Sequence, residues 1–277
     1  RSRVAFLIKA RPDSITPEVA DRLDKLGVVG VFLGVENASA TGLSSLIRGS
    51  KVDHISRAFS LLDRHGIVVT YNLLIFHPHA TLDEINENIL FMKEHPGYPF
   101  DFGRAEIVAG SPLERQVMNE GLLMGSWPNW DYRICDPDVD RLFRISLATF
   151  RRPDSGYSGL AHTMIALAYG AHVVHRLYPG PAADSILADT HALIARSNTG
   201  VLDQIFRMYA LAAEPDPAEG IESLAGSIRT SCTGLISDAE ALTRRMNRLQ
   251  VAERKFRDYR VSGALQQSGL LRTIFQV

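Results

Sequence analysis

The sequence predicts an α/β protein: a short parallel sheet followed by an all-helical C-terminal region. Two observations carry this prediction. Over the first 125 residues, short apolar runs alternate with amphipathic stretches in a βαβαβαβ order. Such an alternation implies parallel strands joined by right-handed crossovers. From Asp138 onward only helical periodicity remains. The expected division is therefore a sheet-bearing part at 1–125, a connector at 126–137 and a helical part at 138–277.

Each element has its own signal. Val4 to Lys9 is a short apolar strand. Thr16-Pro17-Glu18 opens a helix, with Thr16 as N-cap and Pro17 at the first helical position. Val19, Leu23 and Leu26 share its apolar face, and Gly27 ends it. Val28 to Val35 is almost wholly apolar, as a strand buried on both faces should be. Helices follow at about Ala40–Leu46 and Val52–His65, the second carrying Ile55, Phe59 and Leu62 on one face. Ile67 to Phe76 is the third strand. Thr81 and Glu84 have capping-box spacing for a helix through His95. Phe102 to Val108 is the fourth strand, with Arg104 and Glu106 sharing a face. Trp127, Pro128, Trp130 and Cys135 to Pro137 read as an irregular connector. Six helices are then expected, at Val139–Phe150, Gly159–Leu177, Ala182–Arg196, Val201–Ala213, Glu219–Thr230 and Ser237–Arg257. Glu214-Pro215-Asp216-Pro217 is the clearest break among them.

Composition excludes several classes of protein. The chain has 277 residues, 45% of them hydrophobic, with 30 basic and 31 acidic side chains. That balance is wrong for a disordered chain, a collagen-like fibre or a disulfide scaffold. Near-neutral charge argues against wholesale electrostatic binding of nucleic acid. Two cysteines, Cys135 and Cys232, lie far apart with no CxxC spacing, and read as reduced, cytosolic thiols. No apolar run approaches the roughly 20 residues of a membrane span. The chain begins at Arg1 and enters a strand almost at once, so an N-terminal part of a longer protein is expected to precede it.

In parallel sheets, ligands gather at the carboxyl ends of the strands. Those ends here are Lys9–Arg11, Glu36-Asn37, His77-Pro78-His79 and Ala109-Gly110-Ser111, all polar or glycine-rich. Glu36 has only acceptor oxygens when ionised, so it suits an amine or ribose hydroxyls, but it equally suits a helix cap or the surface. Asn72, inside the third strand, needs partners from a ligand or from neighbouring backbone. His77 and His79 have a spacing compatible with metal ligation and with proton transfer. Arg104 and Glu106 suit a polar interior, or a structural ion pair within it; Arg11 is a weaker signal of the same kind. His162, His172 and His175 read as ordinary helical histidines, and Cys232 has no base beside it in sequence. Arg244, Arg245, Arg248, Arg254, Lys255, Arg257 and Arg260 give the last helix a basic face, the usual mark of a solvated helix.

Taken in order, several stretches resemble the later part of a radical S-adenosylmethionine (SAM) enzyme core, in the cobalamin-dependent and methylthiotransferase-like group. They are KARPD followed by ITPEVADRLDKLG, then VGVFLGVENAS, then AFSLLDRHGIVVTYNLLIFHPHATLDE, and last VAGSPLERQVMNEGLL. The resemblance ends near Leu123. It implies that the sheet comprises the last four strands of a six-stranded, partial (β/α)6 TIM-like barrel. It departs from the family twice. The CxxxCxxC loop that holds a [4Fe–4S] cluster is absent and is expected upstream of this chain. The glycines of the usual turn after the third strand are replaced by His77, His79 and Ala80.

The resemblance also implies a chemistry. A reduced cluster transfers an electron to SAM, the carbon–sulfur bond breaks, and the 5′-deoxyadenosyl radical takes hydrogen from an unreactive carbon, with or without cobalamin-dependent methyl transfer. On this reading Arg11, Glu36, Asn72 and Arg104 hold SAM. His77, His79 and Glu106 act at a small-molecule or peptide substrate. A flavodoxin or ferredoxin supplies electrons, and a cobalamin-binding domain can precede the chain. Two other readings stay open. One is a zinc hydrolase using His77, His79 and Glu36 or Glu106. The other is a non-enzymatic module whose basic helix contacts RNA or protein.

Overall fold

The computed structural model describes residues 4–46, 49 and 51–256, with the side chains of 253–256 outside that description. The side chains of Arg254 and Lys255, together with Arg257 and Arg260, therefore lie outside the described residues. The sheet holds four parallel strands in sequential order: β1 (Phe6–Ala10), β2 (Val28–Glu36), β3 (Val68–Phe76) and β4 (Phe100–Arg104). Between them run α1 (Pro17–Leu26), α2 (Ala40–Ser45), α3 (Val52–Arg64) and α4 (Leu82–Glu94). The protein is thus α/β with a parallel sheet, as the alternation predicted. Thr16 caps α1 through Val19, and Gly27 closes it with φ 99°, a left-handed conformation that a residue lacking Cβ adopts without strain.

The two faces of the sheet are covered differently. Tyr71 of β3 is fully buried against Phe59 of α3 and Phe91 of α4, both edge-on at 5.5 Å. The opposite face meets α7 (Tyr157–Leu177) at the sheet's amino end. There Tyr169 hydrogen-bonds Thr70 at 2.5 Å and lies where a Cβ on Gly30 would sit, 2.4 Å from its ring. Toward the carboxyl end this face stays open: Phe32, Gly34, Glu36, Asn72 and Leu74 are only half-buried.

The rest of the chain follows the prediction with four differences. The fourth strand starts at Phe100 and ends at Arg104, so Glu106 lies beyond it and strand alternation does not place it. A helix not expected from the sequence, α5 (Pro112–Asn119), is capped by Ser111 through Glu114. The stretch read as irregular contains a hairpin, β5 (Leu123–Ser126) and β6 (Asn129–Tyr132), turned at the cis peptide Trp127-Pro128. Finally, after α6 (Pro137–Ala148) and α7, four expected helices are two: α8 (Pro181–Ala212) and α9 (Ala218–Phe256). Ser197-Asn198-Thr199-Gly200 looks like a break, yet Asn198 is buried and donates to the carbonyls of Pro96 and Tyr98, each at 2.8 Å. Packing against the α4–β4 loop outweighs local propensity there. The Pro215–Pro217 break does separate α8 from α9. On α9, Arg244 and Arg245 pair with Glu240 and Asp189, and α9 packs on α7 and α8.

Candidate functional site

A cleft of about 980 Å³ opens between the carboxyl halves of β3 and β4, the β5–β6 hairpin and α6. Asn72, Arg104 and Glu106, expected from sequence to serve a ligand, all line it, together with Asp101, Trp130, Asp131, Phe143 and Arg151. The hairpin forms its outer wall because Tyr132 reaches back to both strand ends. The Tyr132 hydroxyl donates to the Ala105 carbonyl at 2.6 Å, with the Phe76 carbonyl at 3.3 Å. Burial pushes that phenol up to about 12, so it stays a donor.

The cations of the cleft are already engaged. The Arg104 guanidinium stacks 3.6 Å over the Tyr132 ring, pairs with Asp131 and donates to the Tyr132 carbonyl. Arg151 lies over Gly103, pairs with Asp101 at 3.1 Å and donates to the Phe102 carbonyl. Arg104 thus fastens the hairpin to the sheet, a different placement from the ligand-holding guanidinium expected of it. The buried Asn72 Oδ1, by contrast, has no hydrogen-bond partner, and a buried acceptor left so is costly unless something supplies a donor. Glu106 lies exposed at the rim.

Glu36 arrives on the open face by an unusual route. Its φ is +64°, the only positive value at a non-glycine among the described residues. The Asn37 N–H closes the turn on the Val35 carbonyl at 2.7 Å, giving a strained three-residue γ-turn. The carboxylate folds back over Gly34: a Cβ there would lie 3.3 Å from Glu36 Oε1. Lys9, not singled out from the sequence, reaches the same face and lies 5.5 Å from the centre of the Phe32 ring. Arg11 is exposed and bidentate to Asp13 at 2.9 Å, which keeps its guanidinium above its ordinary pKa.

The two histidines part company. The expectation that both act at a substrate is corrected for His77, which is buried away from the cleft. His77 is 1% exposed, and its Nε2 lies 2.6 Å from Glu84 Oε1 within a buried polar cluster. Asn37 donates to the same oxygen at 3.0 Å, and Asn88 Nδ2 donates to Asn37 Oδ1 at 3.0 Å. Glu84 does not close the capping box; Thr81 caps α4 through the Glu84 amide, while the carboxylate turns inward. His79 is part-exposed and pairs with Glu120 at 2.6 Å, tying the turn to the end of α5. Pro78 sends the two imidazoles to different sides, so they do not converge as ligands. Among the described residues no three His, Cys, Asp or Glu side chains come together to hold a metal ion. Part of the cluster has a sequence signal: Glu84 and Asn88 lie four apart on the helix face that also carries Ile85, Ile89 and Met92.

No protein-family model matches the chain, and no curated protein matches it. Solved structures do. The cobalamin-dependent S-adenosylmethionine radical enzyme OxsB with aqua-cobalamin bound superposes with a TM-score of 0.54 at 12% identity, over 99% of this chain and 46% of that one. Its apo, selenomethionine-labelled form gives 0.54 at 13% identity with the same coverage. The form with aqua-cobalamin and S-adenosylmethionine bound gives 0.50 at 15%, over 90% of this chain. The chain thus spans about half the length of the protein it matches. The likeness runs on through the helical region, past the point near Leu123 where the sequence resemblance stops. No described helix is long and apolar enough to cross a membrane. Sheet and helices together thus share the fold of that part of the matched enzyme.

Proposed function

We propose that this chain is the SAM- and substrate-facing portion of a radical SAM enzyme, with its four strands the last four of a six-stranded partial barrel. The observation that carries the reading is the set of acceptors on the open face of the sheet, above all the buried, unpartnered Asn72 Oδ1 of β3 in the open cleft. The likeness to OxsB supports the fold on which they sit.

The residues fit SAM. Its ammonium and ribose hydroxyls are donors, and Asn72 Oδ1 and the Glu36 carboxylate are acceptors. Lys9, on the same face, suits the SAM carboxylate. The residues do not fit an iron–sulfur cluster. Cys135 is exposed, Cys232 is buried in α9, and two thiols cannot supply three thiolates. The cluster segment therefore belongs, in this reading, to sequence upstream. Bound SAM, cleaved reductively, supplies hydrogen abstraction from an unactivated carbon. The work of this chain is to hold and orient it. Glu36 and Asn72 fix its polar end, while Trp130, Phe143 and Leu74 wall the cleft where a small-molecule or peptide substrate packs, with Glu106 at the rim. Tyr132 and Arg104 keep that wall closed against water. Cobalamin, a preceding cobalamin domain, and a flavodoxin or ferredoxin donor enter by analogy with the fold. So does a methyl-transfer outcome.

The test is anaerobic reconstitution of the full-length protein, followed by SAM cleavage assayed as 5′-deoxyadenosine release. Cleavage is expected in the wild type. Asn72→Ala is expected to weaken SAM binding about threefold to tenfold, the worth of one neutral hydrogen bond. A full-length protein that neither binds nor cleaves SAM would refute the proposal.

A further inference from the structure

We infer that His77 is a positioning residue: through Glu84 and Asn37 it holds the strained turn that places the Glu36 carboxylate. The inference rests on the assignment of Glu36 to SAM made above. It begins from a conformation that needs support. A glutamate at φ +64° is disfavoured, and such a conformation persists where surrounding structure over-determines it.

The residue after Glu36 supplies that support. Asn37 is fully buried, and its side chain is fixed at three points. Its Oδ1 accepts from the Ser39 N–H at 2.8 Å and from Asn88 Nδ2 at 3.0 Å, while its Nδ2 donates to Glu84 Oε1 at 3.0 Å. Its backbone N–H closes the γ-turn itself. Glu84 Oε1 is held in turn by His77 Nε2 at 2.6 Å. No slack is left in the cluster: a Cβ on Gly42 would lie 2.0 Å from Glu84 Oε1 and 2.3 Å from the Asn37 amide. His77 sits one residue beyond β3, the strand that carries Asn72. The chain His77–Glu84–Asn37 therefore joins the ends of β2 and β3, and sets Glu36 and Asn72 on the open face in one register. Glu84 Oε2 has no partner, so the carboxylate is oriented by the two donors on Oε1.

The experiment compares His77→Leu, which removes the donor, with His77→Gln, whose amide can still reach Glu84, in the full-length protein. The first readout is the crystal structure at Glu36. In His77→Leu, Glu36 is expected to leave the left-handed region and lose the Asn37 to Val35 bond; in His77→Gln both are kept. The second readout is SAM affinity. His77→Leu is expected to weaken it about tenfold or more, His77→Gln to restore it, and Glu36→Gln added to His77→Leu to cost little further. If His77→Leu fails to fold, the near-isosteric Asn37→Asp breaks the same chain at its other link and should move Glu36 equally. A His77→Leu protein with Glu36 still near φ +64° overturns the inference, as does additivity of the two substitutions. A wild type that binds no SAM while Glu36 still follows His77 removes the SAM assignment and leaves the positioning role standing.

Discussion

Gly42→Ala is the sharpest structural probe of the cluster beneath the candidate site. The backbone at Gly42, inside α2, accepts a side chain; the space does not. The new Cβ would meet Glu84 Oε1 at 2.0 Å and the Asn37 amide at 2.3 Å, well inside van der Waals contact. Glu84 cannot step aside without losing His77 or Asn37, which hold the same oxygen at 2.6 and 3.0 Å. Overpacking costs about 1–3 kcal/mol. One lost hydrogen bond to a buried carboxylate costs about 1.5–3 kcal/mol more. Alanine's helix preference returns only about 0.5–1 kcal/mol. The expected loss is roughly 2–5 kcal/mol, or about 1 M in urea midpoint for a slope near 3 kcal/mol/M. The assay is urea unfolding followed by circular dichroism, with Gly234→Ala as control. Gly234 is exposed on α9 with nothing near its Cβ position, so that change should stabilise by about 0.5–1 kcal/mol. A Gly42→Ala protein within about 0.5 kcal/mol of wild type would refute the packing of this cluster.

Asn198→Ala should destabilise by about 2–3 kcal/mol in the same assay, because it strands the Pro96 and Tyr98 carbonyls against α8. Burial holds His172 at about 4, against 6.5 when unfolded. The unfolded chain therefore takes up the proton first as pH falls, and stability present above pH 6.5 is lost toward pH 4, by roughly 2–3 kcal/mol. His172→Gln should flatten that slope, and an unchanged slope contradicts the assignment. Of this chain's two thiols, exposed Cys135 should react rapidly in the native protein. Cys232, pushed up to about 11 by burial, should react only after unfolding.

The sequence made the parallel strands legible because their apolar runs are bounded by strong signals, such as Thr16-Pro17, Gly27 and Thr81. Helix lengths in the C-terminal region were not legible. Ser197 to Gly200 and Ser231 to Gly234 look like breaks, and continuity there depends on packing of Asn198 and Cys232 against distant segments. The hairpin escaped notice because its two strands are short and mostly exposed, and it is pinned through Tyr132 to carbonyls over 25 residues away in sequence. At the site, Asn72 could be placed from its strand position; Glu106 could not, because the fourth strand ends at Arg104. The role of His77 is not legible in the sequence, because the Thr81–Glu84 spacing predicts a helix cap for its partner; only the fold shows that the carboxylate turns inward.

On the proposed function, Glu36 at the end of β2 and Asn72 within β3 hold SAM. Calorimetric titration of SAM into the anaerobically reconstituted full-length protein tests it directly, comparing wild type with Glu36→Gln. Saturable binding is expected of the wild type, and a loss of about tenfold to a hundredfold of the variant, the worth of one charge-assisted hydrogen bond, with melting temperature little changed. Equal SAM affinity in the two proteins, alongside a large fall in the variant's melting temperature, would contradict it and make Glu36 a structural residue.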